Sequence, residues 1–369
     1  MNKFIFTALV TVLLFNGSAA IRAEETMVSK YKTTFYGQVK TDVVYDEHGV
    51  TGDDYMQYVV SKHDNERDFR MSARGTRLGF DITDGANVSG KIETDFIGLS
   101  ESVGGTAGST TDLRLRHAYV NVKAGKLEIL AGQTWHLLPL EFSGTNNEFA
   151  LGYSGVLWFR APQLRVTYKR SDRLTYALAV VRPTRKLTDS EGTASGFPQV
   201  QAQAQLKAGT AKFTLMGAVG QWRNTTTGQR GDITLADLGY NIPLNSLVTL
   251  NGQLWTGRNL YDFLGGIGNM GYGSDEVKAS GGFANINVKP EGKFSYNAAY
   301  GIDDPVNKKI AAAATAKTKN MTMLANVVYL YDKVTVTMEA ARQITEYKLS
   351  TGFKTLFNMH YQLSAKFPF

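Results

Sequence analysis

The chain has 369 residues, no cysteine and a formal charge of +7, so disulfide staples and thiolate metal sites are excluded and stability rests on backbone pairing and burial. Beyond residue 23 no stretch offers the roughly 18 consecutive apolar residues that a spanning helix needs, which excludes a helical membrane protein. The basic residues are interleaved along strand-like segments and form no lysine-rich arm or basic helix, which points away from nucleic acid and towards anionic solutes or lipopolysaccharide.

Residues 1–23 begin with Lys3, run through the apolar stretch Phe4 to Phe15 and reach small residues at Ser18-Ala19-Ala20 or Ala23. That order is the pattern of a cleavable signal peptide. Residues 24–369 are expected to form one exported unit.

From Thr34 onward, apolar residues alternate with polar or small ones over stretches of strand length. In chain order, Val88, Gly90, Ile92 and Phe96 oppose Ser89, Lys91, Glu93 and Asp95, and Val200, Ala202, Ala204 and Leu206 oppose Gln201, Gln203, Gln205 and Lys207. Val248, Leu250, Gly252 and Leu254 oppose Thr249, Asn251 and Gln253, and Val334, Val336 and Met338 oppose Thr335, Thr337 and Glu339. The last segment is the longest: Phe353, Thr355, Phe357, Met359, Tyr361, Leu363, Ala365, Phe367 and Phe369 on one face, Lys354, Asn358, His360, Gln362, Ser364 and Lys366 on the other. A soluble sandwich would pack such apolar faces together. Aromatic residues near the ends of the apolar faces, wet-lumen residues on the polar faces and an aromatic carboxy terminus favour the inverse arrangement. The predicted fold is all-β, a transmembrane antiparallel β-barrel of the Gram-negative outer membrane, closed because an open edge in hydrocarbon leaves backbone groups unsatisfied.

Sixteen segments begin near residues 34, 69, 86, 111, 126, 155, 173, 198, 210, 232, 247, 277, 292, 319, 334 and 353, with fourteen or eighteen as the neighbouring even counts. Asp84-Gly85, Ala124-Gly125, Ala208-Gly209 and Pro290-Glu291-Gly292 read as tight periplasmic turns, and 46–68, 99–110, 136–154, 183–197, 223–231, 258–276 and 303–318 as long external connections. Gly265-Gly266-Ile267-Gly268 reads as flexible surface, and Ala311 to Ala314 as a short helical turn.

The candidate channel-lining residues are Arg70, Arg74, Arg77, Lys91, Arg114, Arg116, Arg160 and Arg165. A charge at mid-depth against lipid costs about 2 to 4 kcal/mol, so these side chains are expected in the lumen. Arg70 and Arg74 have the opposite parity to Arg77, and a bulge at Gly75 would give them a common direction. One reading is a cationic ladder for carboxylate or phosphate groups; the other is an ordinary wet lumen with ion pairs to Asp42, Asp81, Glu93 and Asp95. The stretch Trp135 to Gly155 carries Glu141 and Glu148 and could fold inward as a constriction whose carboxylates face the arginine wall, or stay outside as a plain loop.

Trp135, Trp158, Trp222 and Trp255 are the residues a sugar-binding aromatic stripe would use. Catalysis is not expected: the five histidines, at 48, 63, 117, 136 and 360, accompany no Gly-x-Ser-x-Gly elbow and no His-Glu-x-x-His helix. Asp53-Asp54 and Asp303-Asp304 read as calcium-binding or solvated turns alike, and no cofactor is expected.

Four motifs carry a family resemblance: Arg77-Leu78-Gly79-Phe80, Arg114-Leu115-Arg116-His117-Ala118-Tyr119, Leu130-Ala131-Gly132-Gln133-Thr134-Trp135 and Arg160-Ala161-Pro162-Gln163-Leu164-Arg165. In order and spacing they resemble the DcaP-like trimeric porins. The resemblance implies a sixteen-stranded homotrimer with an arginine-rich constriction, a preference for small anions such as dicarboxylates, and Arg77, Arg114, Arg116, Arg160 and Arg165 in the cationic wall. Phe369 is similar to the signal by which outer-membrane proteins engage the barrel-assembly machinery. The chain departs from the family in the short stretch before its first strand, where members carry a periplasmic helical extension. A general or carbohydrate-preferring porin, and a structural barrel without transport, are the alternatives.

Overall fold

In the computed structural model the described residues are 30–52, 56–61, 67–98, 113–142, 144–147, 149, 151–183, 194–223, 228–269, 276–305, 312 and 316–369. The signal peptide, Asp53-Asp54, Glu148 and the expected turn residues Ala311, Ala313 and Ala314 lie outside them.

Sixteen strands make the wall. The first eight are β1 (Lys32–Asp46), β2 in two segments (Asp68–Ser72 and Arg77–Thr83), β3 (Val88–Asp95), β4 (Arg114–Ala124), β5 (Leu127–Trp135), β6 (Arg160–Lys169), β7 (Leu174–Val181) and β8 (Gln199–Ala208). The rest are β9 (Ala211–Arg223), β10 (Arg230–Pro243), β11 (Val248–Arg258), β12 (Lys278–Val288), β13 (Phe294–Pro305), β14 (Lys317–Tyr331), β15 (Val334–Leu349) and β16 (Gly352–Pro368). Each pairs antiparallel with its sequence neighbours, and β1 pairs with β16 from Gln38↔Pro368 to Asp46↔His360, so the sheet is a closed ring without an edge. The terminal residue extends this seam: Gly37 N–H donates to the Phe369 carbonyl at 2.9 Å and Phe369 N–H to the Gly37 carbonyl at 3.1 Å.

The alternation in the sequence is realised inside out. On β16, Phe353, Phe357, Tyr361, Leu363 and Phe367 are exposed on the outer surface while Asn358, His360, Gln362 and Ser364 are buried in the barrel. Membrane hydrocarbon is the solvent that makes such a face stable. β6 begins at Arg160 rather than near residue 155, because residues 151–159 belong to the loop that precedes it.

Two irregularities decide where cations point. Residues 73–76 interrupt β2, with Thr76 N–H donating to the Ala73 carbonyl at 3.1 Å. Phe69 and Met71 are each 66% exposed on the outside, so Arg70 points inward, and the interruption brings Arg77 inward as well despite its opposite parity. Between β3 and β4 the register slips at Glu93/Thr94, and consecutive residues Arg116 and His117 are both buried inside.

Tight turns close one end of the barrel, including Ser171–Arg173, Asn245–Leu247 and Asp332-Lys333 besides those expected, and long connections close the other. The exception is β15 to β16, joined at that second end by a turn at Ser350-Thr351. Among the described residues the hairpin Val50–Thr51/Tyr58–Val59 between β1 and β2 packs inward on Thr345 and Tyr347, and two other long connections also turn inward. In residues 259–269, Leu260, Phe263, Leu264 and Ile267 are at most 1% exposed, and the Asp303 carboxylate accepts the Ile267 N–H at 2.9 Å. The expected flexible glycine surface is therefore a packed plug, because apolar side chains at 260, 263, 264 and 267 have more to gain from burial than the glycines between them have from freedom. Asp303 caps that plug and is not part of an exposed turn.

Candidate functional site: a basic lumenal cavity

The third inward connection, residues 136–159, crosses the lumen. Its start is held by amides of β8, with Leu137 N–H donating to Gln201 at 3.0 Å and Gln203 donating to the Leu137 carbonyl at 2.5 Å. Its far end is held by β11 and β14: Leu157 N–H donates to Gln253 at 2.8 Å, Trp255 Nε1–H to the Gly155 carbonyl at 2.8 Å, and Asn320 to the Tyr153 carbonyl at 2.9 Å. Gly155 has φ of +109° and a Cβ there would run into the Gly282 carbonyl, so only glycine lets this backbone lie flat on the wall. Phe149, Leu151, Tyr153 and Trp158 pack with Leu264 and Ile267 of the plug, so the two loops fill much of the lumen with a shared apolar core.

Between the tip of this loop, residues 144–147, and an arc of wall from β14 through β16 and β1 to β6 lies a cavity of about 370 Å³. Among the described residues that line it, Lys40, Arg77, Arg116, Arg160 and Lys366 are cationic and none is acidic. Gln38, Thr335, Thr337, Ser364, Asn146 and Asn147 add polar atoms, and Trp135, Phe142 and Trp158 one aromatic side.

Each cation is placed by its strand. Lys40 on β1 and Lys366 on β16 are direct cross-strand partners, a like-charge arrangement that opposes folding by roughly 0.2–1 kcal/mol. Lys40 also lies 3.1 Å from Asp42 and donates to the Asn146 carbonyl at 3.1 Å. Arg116 bridges Glu93 at 2.5 Å and Asp95 at 2.9 Å, and Arg114 makes a two-pronged contact with the same Asp95 at 2.9 and 2.6 Å. Arg160, 6% exposed, stands over the Trp135 ring at 4.2 Å and near Trp158 at 5.7 Å, a contact worth about 0.5–2 kcal/mol.

The structure thus brings Arg77, Arg116 and Arg160 of the expected residues together around one cavity. The others sit elsewhere in the barrel. Arg70 pairs with Asp46 and Asp68; Arg74 donates to the Phe96 carbonyl; Lys91 donates to Tyr36 and pairs with Asp81 at 3.0 Å; Arg165 donates to Gln163 and to the Trp135 carbonyl. Arg114 stands behind the cavity on Asp95. Glu141 does not face the arginine wall: it pairs with Lys212 and accepts from Asn241 at 3.2 Å on the opposite side of the barrel. Lys40 and Lys366 were missed by sequence reasoning, although both fall on the polar parity of their strands. The four tryptophans do not form one stripe: Trp135 and Trp158 meet at 5.8 Å, while Trp222 and Trp255 are buried together in another cluster. Among the described residues no group of three or more His, Cys, Asp or Glu could hold a metal ion.

No protein-family model matches the sequence, and no curated protein matches it. Solved structures do. The outer-membrane channel DcaP of Acinetobacter baumannii is 20% identical, with a TM-score of 0.76 over 92% of this chain and 99% of that one. OmpT of Vibrio cholerae is 12% identical (TM-score 0.61, 93% and 99% covered), and the anion-selective porin from Comamonas acidovorans 14% identical (TM-score 0.60, 92% and 100% covered). This chain has the sixteen-stranded antiparallel barrel fold of these outer-membrane proteins.

Proposed function

We propose that the protein is an outer-membrane porin whose basic cavity is the selective part of a water-filled path for small anions, dicarboxylates among them. The observation that carries this reading is the lining itself: five cations and no acid among the described residues around one cavity. The direct Lys40–Lys366 pair strengthens it, since two like charges placed opposite each other on neighbouring strands oppose folding and polarity alone does not call for them. Guanidinium and ammonium groups around a narrow wet space attract anions and oppose cations through the long-range field. The Comamonas acidovorans porin, which shares this barrel fold, is itself anion-selective.

Under this reading residues 1–23 are removed on export and residues 24–369 make the barrel. The tight-turn end faces the periplasm, lipid and lipopolysaccharide cover the outer face, Phe369 engages the assembly machinery, and three copies associate. A sugar-preferring channel is disfavoured by Arg160, which occupies the Trp135 face that a sugar ring would slide over. Uptake by proteoliposomes tests the proposal: succinate is expected to enter faster than an uncharged solute of similar size, and equal or slower entry of succinate contradicts it.

A further inference from the structure

We propose that Glu339 on β15 is the positioning residue that fixes the tip of the crossing loop and thereby sets the width of the cavity; this deepens the channel reading and rests on it. Glu339 lies inside the barrel, 1% exposed, one rung from Thr337, which lines the cavity. Three donors converge on its carboxylate: the Thr145 hydroxyl at 2.9 Å, the Asn146 N–H at 2.6 Å and the Asn326 amide at 2.8 Å. Two of the three belong to the loop tip, and they come from a segment nearly two hundred residues away in sequence.

The chemistry explains why an acid stands here. A carboxylate offers acceptors on both oxygens and no donor, whereas a glutamine keeps one acceptor oxygen and must turn its NH₂ either on the Asn146 and Asn326 donors or on the Thr145 hydroxyl, which would then have to accept. Charge-assisted bonds of this kind are roughly twice as strong as neutral ones. Asn326 completes the latch by donating to the Gly144 carbonyl at 2.6 Å, and is itself oriented by Asn297 at 2.8 Å. From the cavity side, Lys40 and Ser364 hold Asn146 at 3.1 and 2.5 Å. The tip is thus clamped between one acid behind it and the basic wall in front. Loss of the acid releases the side that keeps the tip away from that wall's opposite edge, and the opening ceases to have a fixed size.

The test uses the size cut-off for neutral sugars in liposome swelling, a steric readout that a change of charge alone does not move. Glu339→Ala should admit sugars that the wild type excludes, and Glu339→Gln should fall between the two. Because the chain has no cysteine, a spin label at Asn147→Cys reports the tip by itself, and its mobility should rise when Glu339→Ala is added. An unchanged cut-off with unchanged label mobility in a folded Glu339→Ala barrel overturns the proposal. If the wild type passes no solute at all, the porin reading fails separately, and the label decides: increased mobility supports the latch and unchanged mobility refutes it.

Discussion

Replacing Lys366 by Gln removes one positive charge from the cavity lining. A monovalent ion passing roughly 6 Å from the ammonium in a water-like medium interacts with it by about 0.7 kcal/mol. Salt near physiological strength, with a Debye length of about 8 Å, reduces that to about half. The change acts with opposite sign on anions and cations, so their relative occupancy shifts by about 0.7 kcal/mol, or roughly threefold. Relief of the Lys40–Lys366 opposition contributes up to about 1 kcal/mol in favour of the barrel. The choice of residue matters. Arg116 contacts Glu93 and Asp95, side chains 12% and 0% exposed, and its removal would take the cation from Glu93 and leave Asp95 to Arg114 alone, the loss of one partner of a buried ion-pair network at a cost of about 3–5 kcal/mol, confusing selectivity with folding. The assay is the reversal potential across a planar bilayer under a KCl gradient, with detergent melting as the control. A Lys366→Gln channel of wild-type selectivity would refute the reasoning.

Glu141→Ala should leave the reversal potential unchanged, because Glu141 faces Lys212 and Asn241 and not the cavity, while lowering stability by about 1 kcal/mol; stronger anion preference would put Glu141 in the path. Phe369→Ala removes the ring that packs on Phe35 at 5.5 Å beside the β1–β16 seam, and heat-modifiability on gels should reveal a barrel weaker by about 0.5–1.5 kcal/mol beyond the lost burial. In the turn between β2 and β3, N–H groups of Ala86 and Val88 hold the Asp84 carboxyl below its usual 3.8. A depressed folded value means the contribution is present above that pH and is lost as pH falls through the lower, folded value. The stability difference between wild type and Asp84→Ala should therefore shrink on acidification below 3.8, and a difference that grows there would contradict the assignment.

The barrel was legible because a two-residue period survives in sequence whatever the partner strand, and β16 alone shows seven apolar positions on one parity, Phe353, Phe357, Met359, Tyr361, Leu363, Ala365 and Phe367. Arg77 could be placed inward despite its parity because a charge against lipid is so unfavourable that an irregularity near Gly75 was the cheaper solution, and residues 73–76 are that irregularity. Lys40 and Lys366 became a pair only when the ends of the chain met, a register that no local pattern encodes. Glu141 was misdirected for a related reason: which wall a crossing loop presents to which strand depends on amides such as Gln201, Asn241 and Gln253, spread over 52 residues of chain (253 − 201). The plug at 260–268 was misread because its glycines signal freedom locally, while its Leu and Phe neighbours find their partners only across the lumen.

The most direct test of the central claim is the reversal potential of the wild-type protein, reconstituted in planar bilayers and placed under a salt gradient. A conducting pore whose reversal potential lies on the anion side is the predicted result. A pore that favours cations would contradict the basic-cavity account.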